Sequence, residues 1–332
     1  MSFFIAIILE VNKLFFDTEV LNMEEKMRLV TRSDFDGLVC AMLLRELDLI
    51  GDIKFVHPKD VQDGKIELSS NDITTNLPFD PRVGLAFDHH ESELARNDME
   101  KIKDRYICII AKSAARVVYE YYGGADTFKT VTEEIMLAVD KGDSADFTVD
   151  EILHPEGWVL MNFLMDARTG LGRFHDFRIS NYDLMMELID YCTSHTIEEV
   201  LALPDVKERV DLYFEQQDLF KQQLQDTVVI KDKVAVIDLR NLETIYSGNR
   251  FMVYAMWPEI EFSVHVAWGF KKQNTAVMIG KSIVNKAGTM DIGQLCLEYG
   301  GGGHPNAGTC QLDNDKVDDE LPNIIKMLNT HF

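Results

Sequence analysis

Apolar positions along the chain fall into short runs separated by helix-length stretches, the alternation of an α/β protein. Arg28-Leu29-Val30-Thr31 reads as a first strand, and the apolar run Leu38 to Ile50, punctuated by Arg45, Glu46 and Asp48, reads as the helix that follows it. Ile53 to Val56 gives a second strand. Val83 to Phe87 is a short, uninterrupted apolar run, the mark of a strand buried on both faces of a parallel sheet. Ala111 to Tyr122 and Val131 to Val139 carry helical spacing. Thr196 to Asp226 is long, charged and helical in period, broken once near Pro204. Beyond it, Lys233 to Leu239, Glu261 to Trp268 and Thr275 to Lys281 read as strands, and Arg250 falls near a helix start.

This order predicts a doubly wound, mainly parallel α/β domain over residues 27–195, a helical linker over 196–228 and a smaller mixed α/β domain over 229–332. Residues 1–26 read as an extension outside the fold. Their apolar run, Phe3 to Leu9, is too short to span a bilayer and lacks the flanks of a signal peptide.

Charge narrows the partners. A formal net charge of −23 over 332 residues repels long nucleic acids and anionic membranes. An anionic substrate must therefore meet a local positive centre, a bound metal or a few focused Arg and Lys. The five scattered cysteines form no CxxC pair and read as thiols of a reducing, cytoplasmic compartment.

Candidate chemistry sits where the strands end. The run Val83 to Phe87 stops at Asp88-His89-His90, one oxygen and two nitrogen ligands at the carboxyl end of a strand. Asp34 and Asp36 occupy the turn from the first strand into its helix, with Gly37 beside them. One acid there is accounted for as a helix N-cap, but two so close call for a cation. Asp72 lies at the end of a mixed run. Asp140 opens an acidic stretch at a helix exit, read either as a solvated loop or as a metal ligand. Arg168, Arg173, His175 and Arg178 cluster in an acidic chain, for phosphate or for a structural or homodimer contact. Near the end, Gly300-Gly301-Gly302-Gly303-His304-Pro305-Asn306-Ala307-Gly308 suggests backbone N–H groups gathered around an anion. It is no GxGxxG dinucleotide fingerprint.

Asp34-x-Asp36-Gly37, Asp88-His89-His90 and Gly301-Gly302-Gly303-His304 with Asn306-Ala307-Gly308, in that order, make the chain resemble the DHH phosphoesterases that carry a DHH-associated C-terminal domain. The resemblance covers roughly residues 27–312. It implies an active site in the cleft between two domains, and hydrolysis of phosphoester or phosphoanhydride bonds with two Mn²⁺ ions, or Mg²⁺ in their place. It also implies Asp34, Asp36, Asp72, His89 and Asp140 as metal ligands, Asp72 bridging both ions and indispensable to activity. Asp88 would orient the histidines, and His90 would contact substrate or move a proton. Arg250, Lys281, Ser282, Gly301, Gly302, Gly303 and His304 would bind substrate. Relatives carry a histidine where this chain has Arg32, which cannot ligate a metal and would take a substrate phosphate instead. The expected substrate is a very short oligoribonucleotide or a linear dinucleotide such as pGpG, a small phosphate-bearing nucleotide that suits the acidic surface. The alternatives are a pAp phosphatase or exopolyphosphatase and, further off, a non-catalytic nucleotide sensor.

Overall fold

The computed structural model describes residues 26–90, 99–102, 104–174 and 176–330. The expected N-terminal extension, save Lys26, and His175 lie outside the described residues. Two compact units divide the chain. One runs to Ser144 and resumes over Asp176–Val206; the other comprises Ala145–His175 and Lys207–Phe332.

The first unit is built on a parallel sheet of β1 (Met27–Arg32), β2 (Ile50–Val56), β3 (Asp72–Thr75), β4 (Leu85–Asp88) and β5 (Tyr106–Cys108), ordered β2-β1-β3-β4-β5. Every residue of β3 and β4 is buried, as expected of central strands covered on both faces. Register sets Thr31 beside Thr75 and Thr75 beside Phe87, so Arg32, Asn76 and Asp88 follow one another across the carboxyl edge. In this strand order the connections change direction between β1 and β3, and the crevice they open there is where such sheets bind ligands.

Helix α1 (Phe35–Glu46) follows β1 directly and is buried from Phe35 through Leu44, so its apolar run has no solvent face. Each buried leucine contributes roughly 1.5–3 kcal/mol. Gly37 allows the tight entry: a Cβ there would lie 1.9 Å from the Arg32 carbonyl oxygen. Helices α2 (Ala114–Tyr121) and α3 (Glu133–Asp143) start at Ser113 and Thr132, whose hydroxyls accept from the Arg116 and Ile135 N–H groups.

The second unit carries a mixed sheet of β6 (Val228–Lys231), β7 (Val234–Asp238), β8 (Phe262–Trp268), β9 (Thr275–Lys281), β10 (Gly302–His304) and β11 (Ala307–Leu312), ordered β10-β11-β9-β8-β7-β6. Only β7 and β8 run parallel. Phe262, Val264 and Val266 alternate along β8, and Val277 and Ile279 along β9, facing Ile292, Leu295, Ile324 and Leu328. These last belong to α5 (Ile292–Glu298) and α6 (Val317–Thr330), once α4 is given to the long helix Pro204–Thr227.

The boundaries differ from the sequence expectation. Residues 145–175 pack with the second unit. Phe147 lies 4.9 Å from Phe163 and 5.8 Å from Phe251, ring to ring. The Gly248 N–H donates to Thr169 O at 3.0 Å, and Arg173 Nη2 donates to Ser247 Oγ at 3.0 Å. Such pairings join residues far apart in the chain, which no local periodicity announces. The expected linker is two helices, Ile197–Ala202 and α4, with Pro204 in the first position of the second. Among the described residues no helix is long and apolar enough to cross a membrane.

Candidate active site

Strand β4 delivers Asp88 to the sheet edge, almost fully buried. Its carboxylate accepts from the His89 N–H at 2.8 Å and the Tyr106 hydroxyl at 3.1 Å, and it holds His90 Nδ1 at 2.7 Å. These three contacts use both of its oxygens and fix the His90 ring. His89 turns the other way. Its Nδ1 lies 3.2 Å from the Ala111 carbonyl oxygen, which can only accept, so Nδ1 carries a proton. In the neutral ring the lone pair is then on Nε2. That atom lies 3.0 Å from Asp143 Oδ2, without the alignment of a hydrogen bond.

Asp34 caps α1, accepting from the Gly37 N–H at 3.0 Å, and its other oxygen lies 2.8 Å from Arg32 Nε. Asp36, two residues further on, is 2% exposed. Its two oxygens accept from the Ala114 and Ala115 N–H groups at 3.1 and 2.8 Å, satisfying the first turn of α2. The acid therefore ties two helices together, accepts also from the Cys40 thiol at 3.9 Å, and has His89 and Asp143 beside it.

These charges crowd one another. Burial, with Asp143 beside it, pushes the Asp36 carboxyl up to about 8. Burial pulls His89 down, but contact with Asp143 and the charge of Asp36 outweigh it and raise the ring to about 9. Burial likewise works against the Asp143 carboxylate, and His89, Arg32 and His90 together hold it below the ordinary range. One ligand atom each from Asp36, His89 and Asp143 lies within 4.8 Å of the others. Two carboxylates and an imidazole nitrogen, with an unaligned Nε2 aimed among them, fit a divalent cation of the Mn²⁺ or Mg²⁺ type. Asp88, His89 and His90 also lie close enough to form such a group, but there Asp88 already accepts three hydrogen bonds from the protein, one of them from His90 Nδ1.

Two expected ligands lie elsewhere. Asp72 begins β3 instead of ending a strand, about 13 Å from the carboxyl edge at 3.3 Å per residue. It takes a two-pronged contact from Arg28 (Nε at 2.7 Å, Nη2 at 2.9 Å) and the Ser69 N–H at 2.6 Å. It is a structural acid of the opposite edge. Asp140 accepts from Ser113 Oγ at 2.7 Å and Arg116 Nε at 2.9 Å, which pins α3 to α2. The residue of α3 that reaches His89 is Asp143, one turn later.

Asn76 was equally invisible in the sequence. It stands where β3 meets the carboxyl edge, with a left-handed backbone (φ 54°) and a side chain 2% exposed. Neither its Oδ1 nor its Nδ2 has a partner. An Asn between Thr75 and Leu77-Pro78 looks like a turn residue, and only the strand register shows where it falls.

In the second unit the glycine run does not form the expected nest. Gly300, with φ 72°, closes α5 by donating its N–H to Leu297 O, and the Gly301 N–H donates to Cys296 O at 2.8 Å. Gly302–His304 is strand β10, paired with β11. A Cβ on Gly301 would lie 2.1 Å from Thr309 O, so close backbone packing accounts for that glycine. Gly302, Gly303 and His304 are exposed. Ser282 is buried, its Oγ accepting from the Val284 and Asn285 N–H groups in a turn after the half-buried Lys281. The arginines resolve as local contacts. Arg168 and Arg250 share Asp166, with Nε atoms at 2.7 and 3.3 Å, Arg173 holds Ser247, and Arg178 Nε donates to Asp205 at 2.8 Å.

No family model matches the chain, and no curated protein does. Among solved structures, a pGpG-specific phosphodiesterase from Vibrio cholerae is 52% identical, with a TM-score of 0.79 over 92% of this chain and 99% of its own. The chain belongs to the DHH phosphoesterase family. A further structure, the DHH domain of a protein described as a member of a ribosomal-protein family, shares the fold at 13% identity and a TM-score of 0.56, over 92% of this chain and 87% of that one. As a DHH phosphoesterase the chain is a hydrolase of phosphoester bonds.

Proposed function

We propose that this DHH phosphoesterase hydrolyses linear dinucleotides such as pGpG, and very short oligoribonucleotides, to mononucleotides with Mn²⁺. The observation that carries the reading is 52% identity along nearly all of a protein described as specific for pGpG. The charge of −23 supports it, since a short substrate confined to one site escapes the repulsion a long polyanion would meet.

Asp36, His89 and Asp143 would hold the principal ion, and Asp34, on exchanging Arg32 for a cation, a second. When bound, such ions supply Lewis acidity that lowers the cost of negative charge on the phosphoryl oxygens. The chain's own residues do the rest. Arg32 moves from Asp34 to a substrate phosphate. Asp88 holds His90 by Nδ1, so that Nε2 delivers a proton to the departing 3′-oxygen as water adds to phosphorus and the P–O bond breaks. In the second unit, the exposed Gly302 and His304 and the half-buried Lys281 are the candidates for a phosphate contact.

The test is turnover of pGpG, pApA, pAp, polyphosphate and cyclic dinucleotides with Mn²⁺, with products resolved by chromatography. The expected result is GMP from pGpG at the highest kcat/KM. Cleavage of polyphosphate with inert dinucleotides would sink the proposal, and tight nucleotide binding without any product would make the protein a sensor.

A further inference from the structure

Asn76 has two costs and no visible return. A left-handed backbone at a residue other than glycine stores about 1 kcal/mol or more. Each unpaired buried polar group costs about 1–3 kcal/mol. Among the described residues it is the one side chain with two buried polar atoms that both lack a partner. Its backbone N–H is engaged, donating to Phe87 O at 3.2 Å, so the residue is held in place by β4 while its amide goes unanswered.

Position says what would answer it. β3 is the central strand, and Asn76 follows it at the crevice between β1 and β3, level with Arg32 on one side and Asp88 on the other. An amide offers an oxygen to a cation and an N–H to an anion. A carboxylate there would offer only the first. A site that holds a divalent ion against a phosphoryl group presents both complements at once.

We propose that Asn76 positions ion and substrate together, Oδ1 turned to the ion and Nδ2 donating to a phosphoryl oxygen. This rests on the metal-dependent reading above. It adds that the central strand contributes a neutral ligand, so the site gives up one negative charge in exchange for a hydrogen-bond donor to the substrate.

The test uses the full chain with Asn76→Asp, Asn76→Ala and Asn76→Gly. Mn²⁺ affinity is read by electron paramagnetic resonance without nucleotide, GMP affinity by calorimetry with saturating Mn²⁺, and kcat and KM for pGpG separately. Asn76→Asp is expected to tighten Mn²⁺ about tenfold and to weaken GMP and raise KM about tenfold, the scale set by losing one oriented partner of a metal site. Asn76→Ala and Asn76→Gly are expected to weaken both ligands. Glycine accepts the left-handed backbone, so its melting temperature should equal or exceed that of the wild type, which keeps the test valid if the alanine variant unfolds. Mn²⁺ affinity and KM within twofold of wild type in Asn76→Asp and Asn76→Gly would overturn the proposal and leave Asn76 a turn residue. Wild-type protein that takes up no Mn²⁺ overturns the preceding reading, and with it the Oδ1 half of this one. GMP binding of the variants measured without metal then decides the Nδ2 half by itself.

Discussion

The two edges of the parallel sheet treat their acids differently. At the amino edge Asp72 meets Arg28 in a two-pronged contact with backbone support, one acid to one cation. At the carboxyl edge Arg32 meets Asp34 and acts on Asp143, while burial with Asp143 beside it raises Asp36, and contact with Asp143 and the charge of Asp36 raise His89 against burial. The first edge is complete without a ligand. The second holds protons where a cation would serve, and it leaves the Asn76 amide unpaired. The acids of the two edges differ in whether the protein supplies the counter-charge.

That contrast can be broken by substitution. His89→Ala and Asp143→Asn should each lower kcat/KM for pGpG by about 10²–10³-fold, the scale of losing one electrostatic contact to a transition state. Their melting temperatures should stay near wild type, and retained turnover would remove them from the site. Asp72→Ala should do the reverse. Its loss leaves Arg28 unmatched at a largely buried site and should cost about 2–4 kcal/mol in urea unfolding, less than a fully buried pair because Arg28 is 31% exposed. Activity per folded molecule should be kept, and an inactive, stable Asp72→Ala would restore the bridging role expected from sequence.

Protons sharpen the comparison further. Asp36, raised to about 8, is mostly protonated at pH 7 in the metal-free protein. A cation needs the Asp36 carboxylate and the His89 Nε2 lone pair, and the ring is raised to about 9, so Mn²⁺ uptake at pH 7 should release close to two protons, and affinity should rise as pH climbs toward 9. Calorimetry in buffers of different ionisation enthalpy reads this directly; uptake without release would contradict the crowding. The smallest effect is expected from Asp140→Asn, which weakens the hold on Arg116 and Ser113 by about 1–2 kcal/mol and should leave kcat within a few-fold.

Much of the first unit was legible because its signals are local. A buried strand that ends in Asp88-His89-His90, and a strand, acidic turn and apolar helix around Asp34 and Asp36, each declare themselves within a dozen residues. What misled was partnership across the chain. Asp72 looks like a ligand until Arg28 is seen beside it, and Asp140 and Asp143 share a helix face, so only the position of Ser113 and Arg116 tells which is engaged. Asn76 gave no signal, since its meaning depends on register with two other strands. The glycine run was read for its freedom, when at Gly301 it answers a close approach of backbone.

The segment Ala145–His175 has a practical consequence for anyone cutting the gene. Because it returns to Asp176–Val206 before the chain moves on at Lys207, no single scission yields both halves intact. A fragment starting at residue 207 would lack the aromatic cover that Phe147 gives Phe251 and the carboxylate that Asp166 gives Arg250, and would tend to aggregate. Each half is legible to a ribosome only as interleaved pieces, so the two should be gained or lost together under limited proteolysis and in evolution by truncation.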